Sequence, residues 1–502
     1  MDNKNNSGKK VLSNTVIYAV TGLLQKCFSF FLLPIYTIYL TTEDYGITSI
    51  STSFVTTMSF VVSFSLFSAV MRFYVDYKND EVVLRRFYGS VMLFTLTSGT
   101  VFGIILSLFK NVLVNYVFSG IDYFPVIFIC LITIIFSCQH TIYDTILRSQ
   151  QRALKCSVLS IFYFLLNVFL NILFVVVLKK QALGVLLATL ISAMLYTIYF
   201  FADMIRSKSV EFCLDRKLLS EALKYSIPII PHNLSTCITE LISKALIGGT
   251  ASLATLGVYS IAAQFGNIAD TVQSYVNNAY APWLYEKLHT RDENYKKTIR
   301  SIVNFLVSVI GFFLIGIALF AQDYVFLFLK SSYYNAWLYV PLVVSVFTIK
   351  IIYYFYINVL FYYKSASRVV FVATLSSSLV NVLLSAIFIP EYGAYGSILA
   401  DGIAMFLRVG IVVCISKKYE DTGLKLSDFI MRIFLILLFV FLGMSYSYIT
   451  RINSFRIMNF SIKIVVLFLY LLIIYVEYRK EINKVVITKI KKWRKSNVKE
   501  ES

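Results

Sequence analysis

The sequence predicts an all-α integral membrane protein with 14 transmembrane helices: two six-helix lobes related by a parallel repeat, plus two C-terminal helices. Three observations support this fold class, namely the composition, a regular series of apolar segments and an internal repeat. Of the 502 residues, 58% are hydrophobic and 15% are charged, and the mean hydropathy is +0.75. A soluble domain carries about 25% charged residues. A water-soluble core of this size could not bury so much apolar surface.

The apolar segments set the number of spans. A helix crosses the ~30 Å hydrocarbon layer with about 20 residues, and a backbone in lipid must satisfy its own hydrogen bonds, which favours helices. A window of that length finds segments at 12–40, 46–71, 87–109, 123–147, 156–178, 182–202, 222–246, 256–281, 301–321, 333–361, 369–389, 395–415, 429–449 and 462–478. The connections between them are short, so no soluble catalytic domain fits between the spans.

The basic residues predict the orientation. Lys and Arg total 46 against 27 acidic residues, a net charge of +19. With the N-terminus inside, 34 basic residues lie on the cytoplasmic side and 6 outside, as the positive-inside rule requires. Both termini are therefore expected in the cytoplasm, and the charge does not call for nucleic acid. The basic residues that remain, within spans or at their edges, are Lys26, Lys244, Lys350, Arg408, Arg432 and Lys463.

Three stretches of the first half resemble stretches of the second half at nearly one offset. Tyr45–Ser51 resembles Leu256–Ala262, Leu166–Phe174 resembles Val380–Phe388, and Gly184–Ala188 resembles Gly396–Ala400. Spans 1–6 then correspond to spans 7–12. Because six is even, both halves have the same orientation, so their symmetry axis lies along the membrane normal. Two such lobes leave a cleft between them that rocking would expose to each side in turn.

These boundaries predict the organisation of the chain. The parts are an N-lobe (1–202), a cytoplasmic linker (203–221), a C-lobe (222–415), spans 13–14 (416–478) and a basic cytoplasmic tail (479–502). The tail is expected to lie on the anionic inner leaflet.

Several chemistries are excluded by missing motifs. The seven cysteines form no CxxC pair, and the three histidines form no HExxH motif. Phosphate-binding glycine loops are also absent. We therefore expect no metal site, no cofactor, no ATP hydrolysis by this chain and no enzymatic activity.

Several phrases, taken in order and spacing, resemble the polysaccharide transporters of the MOP superfamily, the Wzx-type lipid-linked oligosaccharide flippases. The resemblance covers nearly the whole chain. The phrases are Tyr45–Gly46, Ala69–Tyr74, Arg148–Arg152, Ser260–Gln264, Pro282–Glu286 and Ile389–Gly396.

The resemblance implies a function in the bacterial cytoplasmic membrane. Such proteins move an undecaprenyl-diphosphate-linked repeat unit from the inner to the outer leaflet during capsule, O-antigen or similar polysaccharide biosynthesis. The expected partners are that lipid, the bilayer, and a polysaccharide polymerase with other assembly proteins. Relatives with twelve spans export drugs and use acidic residues for cation coupling. The two extra spans favour the flippases over a drug or cation antiporter.

Charged side chains within the hydrocarbon are costly and usually face a cavity or a partner. A diphosphate in a low-dielectric cleft needs cations, so the substrate-binding candidates are Lys26, Arg72, Lys244, Lys350 and Arg408. Four of them also have a structural alternative: helix packing with snorkelling or an acidic partner for Lys26, an interfacial anchor for Arg72, snorkelling for Lys244, and an ion pair within or between helices for Arg408. Arg432 and Lys463, at span ends, are expected at the interface.

Titratable groups within spans are candidates for coupling to Na⁺ or H⁺. They are Glu240, Asp270, Asp401, His140 and Asp144. Glu240 lies four residues before Lys244, so a neutralised pair is the alternative there. For His140 and Asp144, also four apart, the alternative is a hydrogen-bonded packing face.

Three prolines are hinge candidates because they interrupt or open repeat-related spans: Pro34 in span 1, and Pro228 with Pro231 at the start of span 7. Simple kinks are the alternative. Two other classes of function remain beside a transporter. A membrane-embedded polymerase or glycosyltransferase would need a large loop or a DxD-type motif, and neither is present. A scaffold that has lost transport is the other.

Overall fold

The computed structural model describes the backbone of residues 2–363 and 367–500, and side chains within 14–479 except those of 15, 16, 19, 27, 232 and 364–369. Its regular structure is helical, and this part of the chain contains no strand. The prediction of an all-α class is confirmed. The side chains of the predicted basic tail lie outside the described residues from residue 480 onward.

Seventeen α-helices follow one another along the described chain. They are α1 (Asp2–Tyr39), α2 (Thr42–Val62), α3 (Leu66–Tyr77), α4 (Glu81–Leu108), α5 (Lys110–Val112), α6 (Phe128–Ser149), α7 (Ala153–Asn171), α8 (Gln181–Arg206), α9 (Arg216–Ser226), α10 (Ile230–Thr250), α11 (Leu253–Thr290), α12 (Tyr295–Phe328), α13 (Ala336–Tyr362), α14 (Ser367–Tyr392), α15 (Ala394–Tyr419), α16 (Leu426–Ile449) and α17 (Ile457–Glu500). Short π-helical turns lie at Leu113–Val117, Tyr123–Ile127 and Ile172–Val177, and 3₁₀ turns at Ile227–Ile229 and Ser331–Tyr333.

Eleven of the described helices are long and apolar enough to cross a membrane. The pair α2 and α3, bent by 45°, makes a twelfth span if it is counted as one. Positive φ values at Phe64 and Ser65 produce that bend. Two further predicted spans, 222–246 and 256–281, fall largely on α10 and α11, which are helical but more polar. The count of 14 spans therefore stays a prediction.

Contacts divide the chain into two compact units. The first comprises Met1–Ile261, Leu329–Asn335 and Phe371–Ala404. Helix α6 is central to it, packing on α2, α3, α4, α7 and α8. A buried aromatic and aliphatic core, including Phe87, Tyr143 and Phe200, holds these helices together.

The second unit comprises Ala262–Phe328, Ala336–Val370 and Met405–Ser502. Its central helix is α12, which packs on α13, α16 and α17. At Gly311 of α12 an added Cβ would lie 2.7 Å from the Ile436 side chain, so α16 packs closely on this glycine. Spans 13 and 14 therefore pack directly against span 9.

Polar groups at three levels fasten α16 and α17 to α12. Arg300 donates to the Asp428 carboxylate at 2.6 and 2.8 Å. One level further, Arg432 pairs with Glu477 and donates to Ser308. The third level is the most deeply buried of the three.

The third level is centred on Lys463, whose side chain is 0% exposed. Its Nζ lies 2.7 Å from Asp323 Oδ2 and donates to Gln322 Oε1 at 2.7 Å. Asn459 and Ser447 also donate to Gln322 Oε1. The expectation that Lys463 is interfacial is therefore wrong, because its ammonium is compensated inside the helix bundle and does not reach the surface.

Equivalent stretches of the two halves make the same local contact. An added Cβ at Gly184 would lie 3.1 Å from the Phe174 carbonyl carbon, and one at Gly396 would lie 2.5 Å from that of Phe388. These glycines and phenylalanines belong to two of the matched stretches of the sequence. The repeated close approach of helix to helix supports the internal repeat.

The third matched pair of stretches meets across α2 and α11. A Cβ at Gly46 would lie 2.9 Å from the Leu253 carbonyl carbon, and one at Gly257 would lie 2.9 Å from that of Thr42. Ser260 donates to Ser49 Oγ at 2.7 Å. An offset of 211 residues exchanges the Gly46–Leu253 contact with the Gly257–Thr42 contact, and it maps the Ser49–Ser260 pair onto itself. A pseudo-twofold axis of the repeat therefore passes between Gly46 and Gly257.

Candidate functional site

Carboxylates neutralise several of the intramembrane cations. Lys244 Nζ lies 2.7 Å from Glu240 Oε1 one turn earlier in α10, and it donates to Ser53 Oγ of α2 at 2.8 Å. The Glu240 side chain is 61% exposed, whereas that of Lys244 is 12% exposed. The neutralised pair that the spacing allowed is therefore formed, and its carboxylate faces open space.

The second unit contains a comparable pair. Lys350 Nζ of α13 donates to Asp270 Oδ1 of α11 at 2.6 Å, and Tyr354 donates to the same oxygen at 2.9 Å. Two predicted residues of different roles, a substrate-binding lysine and an ion-coupling carboxylate, are thus one ion pair. In this conformation, Lys350 could bind a substrate anion, or Asp270 a coupling cation, only if the ion pair between them were broken.

Asp401 lies in a chain of hydrogen bonds that joins three helices of the first unit. Asn381 of α14 donates to Asp401 Oδ1 of α15 at 2.6 Å. Ser385 donates to the Asn381 side-chain oxygen at 3.2 Å and lies 3.3 Å from Ser243 of α10. The Asn381 amide is therefore one donor to the Asp401 carboxylate, and it links Asp401 to the hydroxyl groups of Ser385 and Ser243. Arg408 lies two turns further along α15.

Arg72 of α3 is half exposed and donates to Asp76 at 2.7 Å one turn on. This exposed pair fits an anchor at the membrane surface. Exposed pairs of this kind contribute little to stability, typically below about 1 kcal/mol.

Lys26 differs from these cations. Among the described residues it forms no ion pair and no hydrogen bond, and its side chain is exposed. It lies six residues into the apolar stretch Val20–Tyr39 of α1, roughly 9 Å along the helix axis at 1.5 Å per residue. A cation at this depth without a carboxylate is costly unless water or an anion solvates it.

The helix geometry shows which side of α1 carries Lys26. The apolar, strongly exposed residues Leu24, Phe28 and Phe31 follow one stripe, the side suited to lipid. Lys26 instead shares a stripe, at spacings of 7 and 11 residues, with Leu33 and Thr37, which are buried at 3% and 0% exposure. Lys26 therefore lies on the same side of α1 as the buried residues Leu33 and Thr37, but at a level where the side chain is exposed.

His140 and Asp144 of α6, two of the ion-coupling candidates, both contact Tyr196. The His140 ring lies against the rings of Tyr163 and Tyr196, at centroid distances of 4.6 and 4.4 Å. Asp144 accepts from the Tyr196 hydroxyl at 2.8 Å, and Arg148 is 3.9 Å away. The alternative interpretation, a hydrogen-bonded packing face, is thus present, and Tyr196 contacts both His140 and Asp144.

The hinge candidates occupy different positions. Pro34 lies inside α1, which continues through it, and Thr37 donates to its carbonyl at 3.0 Å. Pro228 lies in the 3₁₀ turn between α9 and α10, and Pro231 in the first turn of α10. The geometry makes Pro228 and Pro231 a junction between helices, while Pro34 is an intrahelical proline.

A cavity of about 310 Å³ lies among α2, α6, α7 and α8 in the first unit. Hydroxyl side chains of α2 and α6 form much of its wall, with His140 and Tyr163. The sequence reasoning did not identify this cavity. The sequence feature that could have indicated the cavity is the spacing of Thr52, Thr56 and Ser59 in α2 and of Ser63 directly after it, which places their hydroxyl groups at one helix face.

Comparison with known proteins identifies the family. The family described as "Polysaccharide biosynthesis protein" matches residues 11–288, more than half of the chain. The chain belongs to this family. The resemblance to MOP-superfamily polysaccharide transporters is thereby confirmed. The chain is also similar to an "uncharacterized membrane protein" of Haemophilus influenzae, 23% identical over 423 residues, which cover 82% of this chain and 98% of that protein.

Solved transporters share the fold. The structure of "Lipid II flippase MurJ, inward closed conformation" has a TM-score of 0.68 at 16% identity, covering 93% of this chain and 98% of that chain. A MATE structure in complex with MaL6 has a TM-score of 0.54 at 15% identity, covering 85% and 96%. Identities this low show the fold alone. The chain therefore belongs to a family of polysaccharide biosynthesis proteins and shares its fold with solved membrane transporters.

Proposed function

We propose that the protein flips an undecaprenyl-diphosphate-linked oligosaccharide repeat unit from the inner to the outer leaflet of the bacterial cytoplasmic membrane, by alternating access. Lys26 is the observation that carries this proposal. Its ammonium is exposed within the apolar length of α1, on the protein-facing side, without a carboxylate among the described residues. A diphosphate would supply the missing anion, since charge-assisted hydrogen bonds to phosphate are strong.

The closed end of the first unit fits loading from the inner leaflet. Gly46 and Gly257 bring α2 and α11 together near the α1–α2 connection. The buried Tyr333 hydroxyl donates to the Leu40 and Thr41 carbonyls at 3.0 and 2.6 Å at the same end. With both termini in the cytoplasm, as the charge distribution predicts, this end is external. Lys26, nearer the other end of α1, would then be reached from inside.

The C-terminal helices favour a lipid substrate over a soluble drug. The flippase fold covers 93% of this chain, whereas that of the MATE transporter covers 85%. The buried Lys463–Asp323 pair fastens α17 to α12, and the Arg300–Asp428 pair fastens α16 to α12. Both C-terminal helices carry exposed apolar residues such as Phe434 and Phe468. An attached, lipid-facing helix pair suits a substrate whose tail stays in the bilayer.

Transport against a gradient requires an energy source, which we propose is a Na⁺ or H⁺ gradient. Asp401 supports this part of the proposal, because its carboxylate lies within the predicted span of α15 and accepts a hydrogen bond from the Asn381 amide at 2.6 Å. Oxygen atoms from Asn381, Ser385 and Ser243 lie in the same chain of contacts. Such oxygen groups suit a small hard cation.

The test is complementation of a strain that lacks this gene, with surface polysaccharide as the readout. Lys26→Ala should reduce export about 10- to 100-fold, since a hydrogen bond to a charged group contributes about 1.5–3 kcal/mol. Lys26→Arg should retain more export because it keeps the charge. Lys110→Ala, which removes an exposed lysine after α4, is the matched control.

Two outcomes would contradict the proposal. Wild-type surface polysaccharide in the Lys26→Ala strain, at equal protein levels, would remove Lys26 from the substrate site. Drug sensitivity with intact polysaccharide in the strain lacking the gene would indicate a drug or cation antiporter on the same fold.

A further inference from the structure

The hydroxyl-lined cavity of the first unit has no role in holding a diphosphate. Its wall residues include no Lys, Arg, Asp or Glu, and all of them lie in the described part of the chain. An anionic head group needs cations or many N–H donors, and a bound metal ion favours carboxylates. The composition of this wall instead suits a neutral polar ligand.

The hydroxyl groups of the wall are arranged to accept hydrogen bonds. Thr52 donates to the Thr48 carbonyl at 2.8 Å, Thr56 to that of Thr52 at 2.9 Å, and Thr189 to that of Val185 at 2.9 Å. Each hydroxyl has one proton and two acceptor sites. With the proton used on its own helix, each oxygen presents lone pairs to the cavity. A ligand rich in O–H donors complements such a wall.

Buried polar atoms of the same wall have no partner among the described residues. They include Ser51 Oγ, in a residue that is 0% exposed, together with Ser59 Oγ and His140 Nε2. Leaving a buried polar group unpaired costs about 1–3 kcal/mol. The polar character of the wall therefore extends to side-chain atoms beneath its accessible surface.

Size and access also fit a sugar. The cavity volume of about 310 Å³ is at the lower end of the roughly 300–1,000 Å³ typical of small-molecule sites. Thr52 and Thr56 are exposed, so the cavity is open along α2. Phe60 and Tyr163 add aromatic surface to a polar wall, and an aromatic ring can pack on the C–H face of a sugar.

We infer that this cavity, bounded by Thr52, Thr56, Ser59 and His140, binds neutral sugar of the lipid-linked oligosaccharide, while cations elsewhere bind the diphosphate. The inference rests on the proposed function and deepens it, because it names the part of the substrate that the first six spans recognise. A protein with this division of labour distinguishes a loaded lipid carrier from an empty one.

The experiment measures binding of the purified full-length protein to three lipids in nanodiscs. The probes are bare undecaprenyl diphosphate, the same lipid with one N-acetylhexosamine, and the same lipid with one neutral hexose. Wild-type protein should bind at least one sugar-bearing lipid about tenfold more tightly than the bare lipid, the equivalent of about 1.4 kcal/mol.

The cavity variant is Thr52→Val/Thr56→Val/Ser59→Ala, which removes hydroxyl oxygens with little change in volume. It should lose the preference for sugar while keeping the affinity for the bare lipid. The matched control is Thr97→Val. Thr97 makes the same hydrogen bond within its helix, to the Leu93 carbonyl at 2.9 Å, but lies on the exposed face of α4 with Val101 and Ile104.

The outcomes separate this inference from the proposed function. A wild-type protein that binds none of the three lipids contradicts the proposed function itself. Binding of all three lipids with equal affinity overturns the sugar site alone, as does an unchanged sugar preference in the folded cavity variant. A cavity variant that loses Na⁺-dependent thermal stabilisation but keeps the sugar preference identifies a cation site and also overturns the inference.

Discussion

The contact between Gly46 and Gly257 predicts how easily one end of the first unit opens, the end that is external in the proposed orientation. A Cβ at either position would lie 2.9 Å from a backbone carbonyl carbon of the other helix, where ordinary contact begins at 3.4 Å. Backbone cannot rotate away as a flexible side chain can, so alanine at either position must separate α2 and α11 by at least about 0.5 Å. Overpacking of this kind costs about 1–3 kcal/mol.

That free energy acts on the closed state, because the two helices must separate for the external side to open. Gly46→Ala and Gly257→Ala should therefore shift the population away from the closed external end by about 5- to 150-fold. If closure is needed to load substrate from inside, export should fall in both variants. Because the two sites are equivalent under the repeat, their effects should be of similar size.

A disulfide assay measures this closure directly. The Oγ atoms of Ser49 and Ser260 are 2.7 Å apart, so Ser49→Cys/Ser260→Cys should cross-link readily under mild oxidation. Adding Gly257→Ala should slow cross-linking by the same 5- to 150-fold. The control is Gly410→Ala, since nothing lies within 4 Å of a Cβ at Gly410. Cross-linking as fast in the Gly257→Ala background as in the control would refute the reasoning.

Two further predictions concern the second unit and the coupling ion. Lys463→Met should destabilise the protein by about 3–5 kcal/mol, because it leaves Asp323 charged and buried. In a thermal unfolding assay, Lys463→Met/Asp323→Leu should recover much of that loss. A double variant no more stable than the single variant would contradict this account. Asp401→Asn should abolish stimulation of liposome transport by a Na⁺ or pH gradient, whereas Asp122→Asn, an exposed loop residue, should not; equal stimulation in both variants would exclude Asp401 as the coupling carboxylate.

Local sequence features predicted much of the helical architecture. The bend between α2 and α3 was not among them, because it depends on the backbone at Phe64 and Ser65. The repeat offset predicted which stretches correspond, and the structure shows equivalent contacts at Gly184 and Gly396. The repeat offset did not predict that the backbones at Gly46 and Gly257 are in contact. Two residues that correspond under the repeat can lie at any distance from the symmetry axis, and only residues close to the axis meet.

Among the charged residues of the candidate site, only some ion pairs could be predicted from the sequence. The Lys244–Glu240 pair followed from a spacing of four residues, because such residues share a helix face. The Lys350–Asp270 pair joins two helices 80 residues apart in sequence, and no local pattern connects them. Sequence position correctly marked both lysines as unusual, yet it could not distinguish a paired cation from an unpaired one such as Lys26.

The sequence by itself determined that this is a helical membrane protein with an internal repeat, because apolar length, charge distribution and periodicity are properties of consecutive residues. Only the tertiary structure decided which charges neutralise each other and which hydroxyls enclose a cavity. Lys463 illustrates the reason: its position near the end of a span suggests the interface, but packing places it beside Asp323, 140 residues away. The cost of a buried charge depends on its neighbours in space, and those are set by how the helices pack.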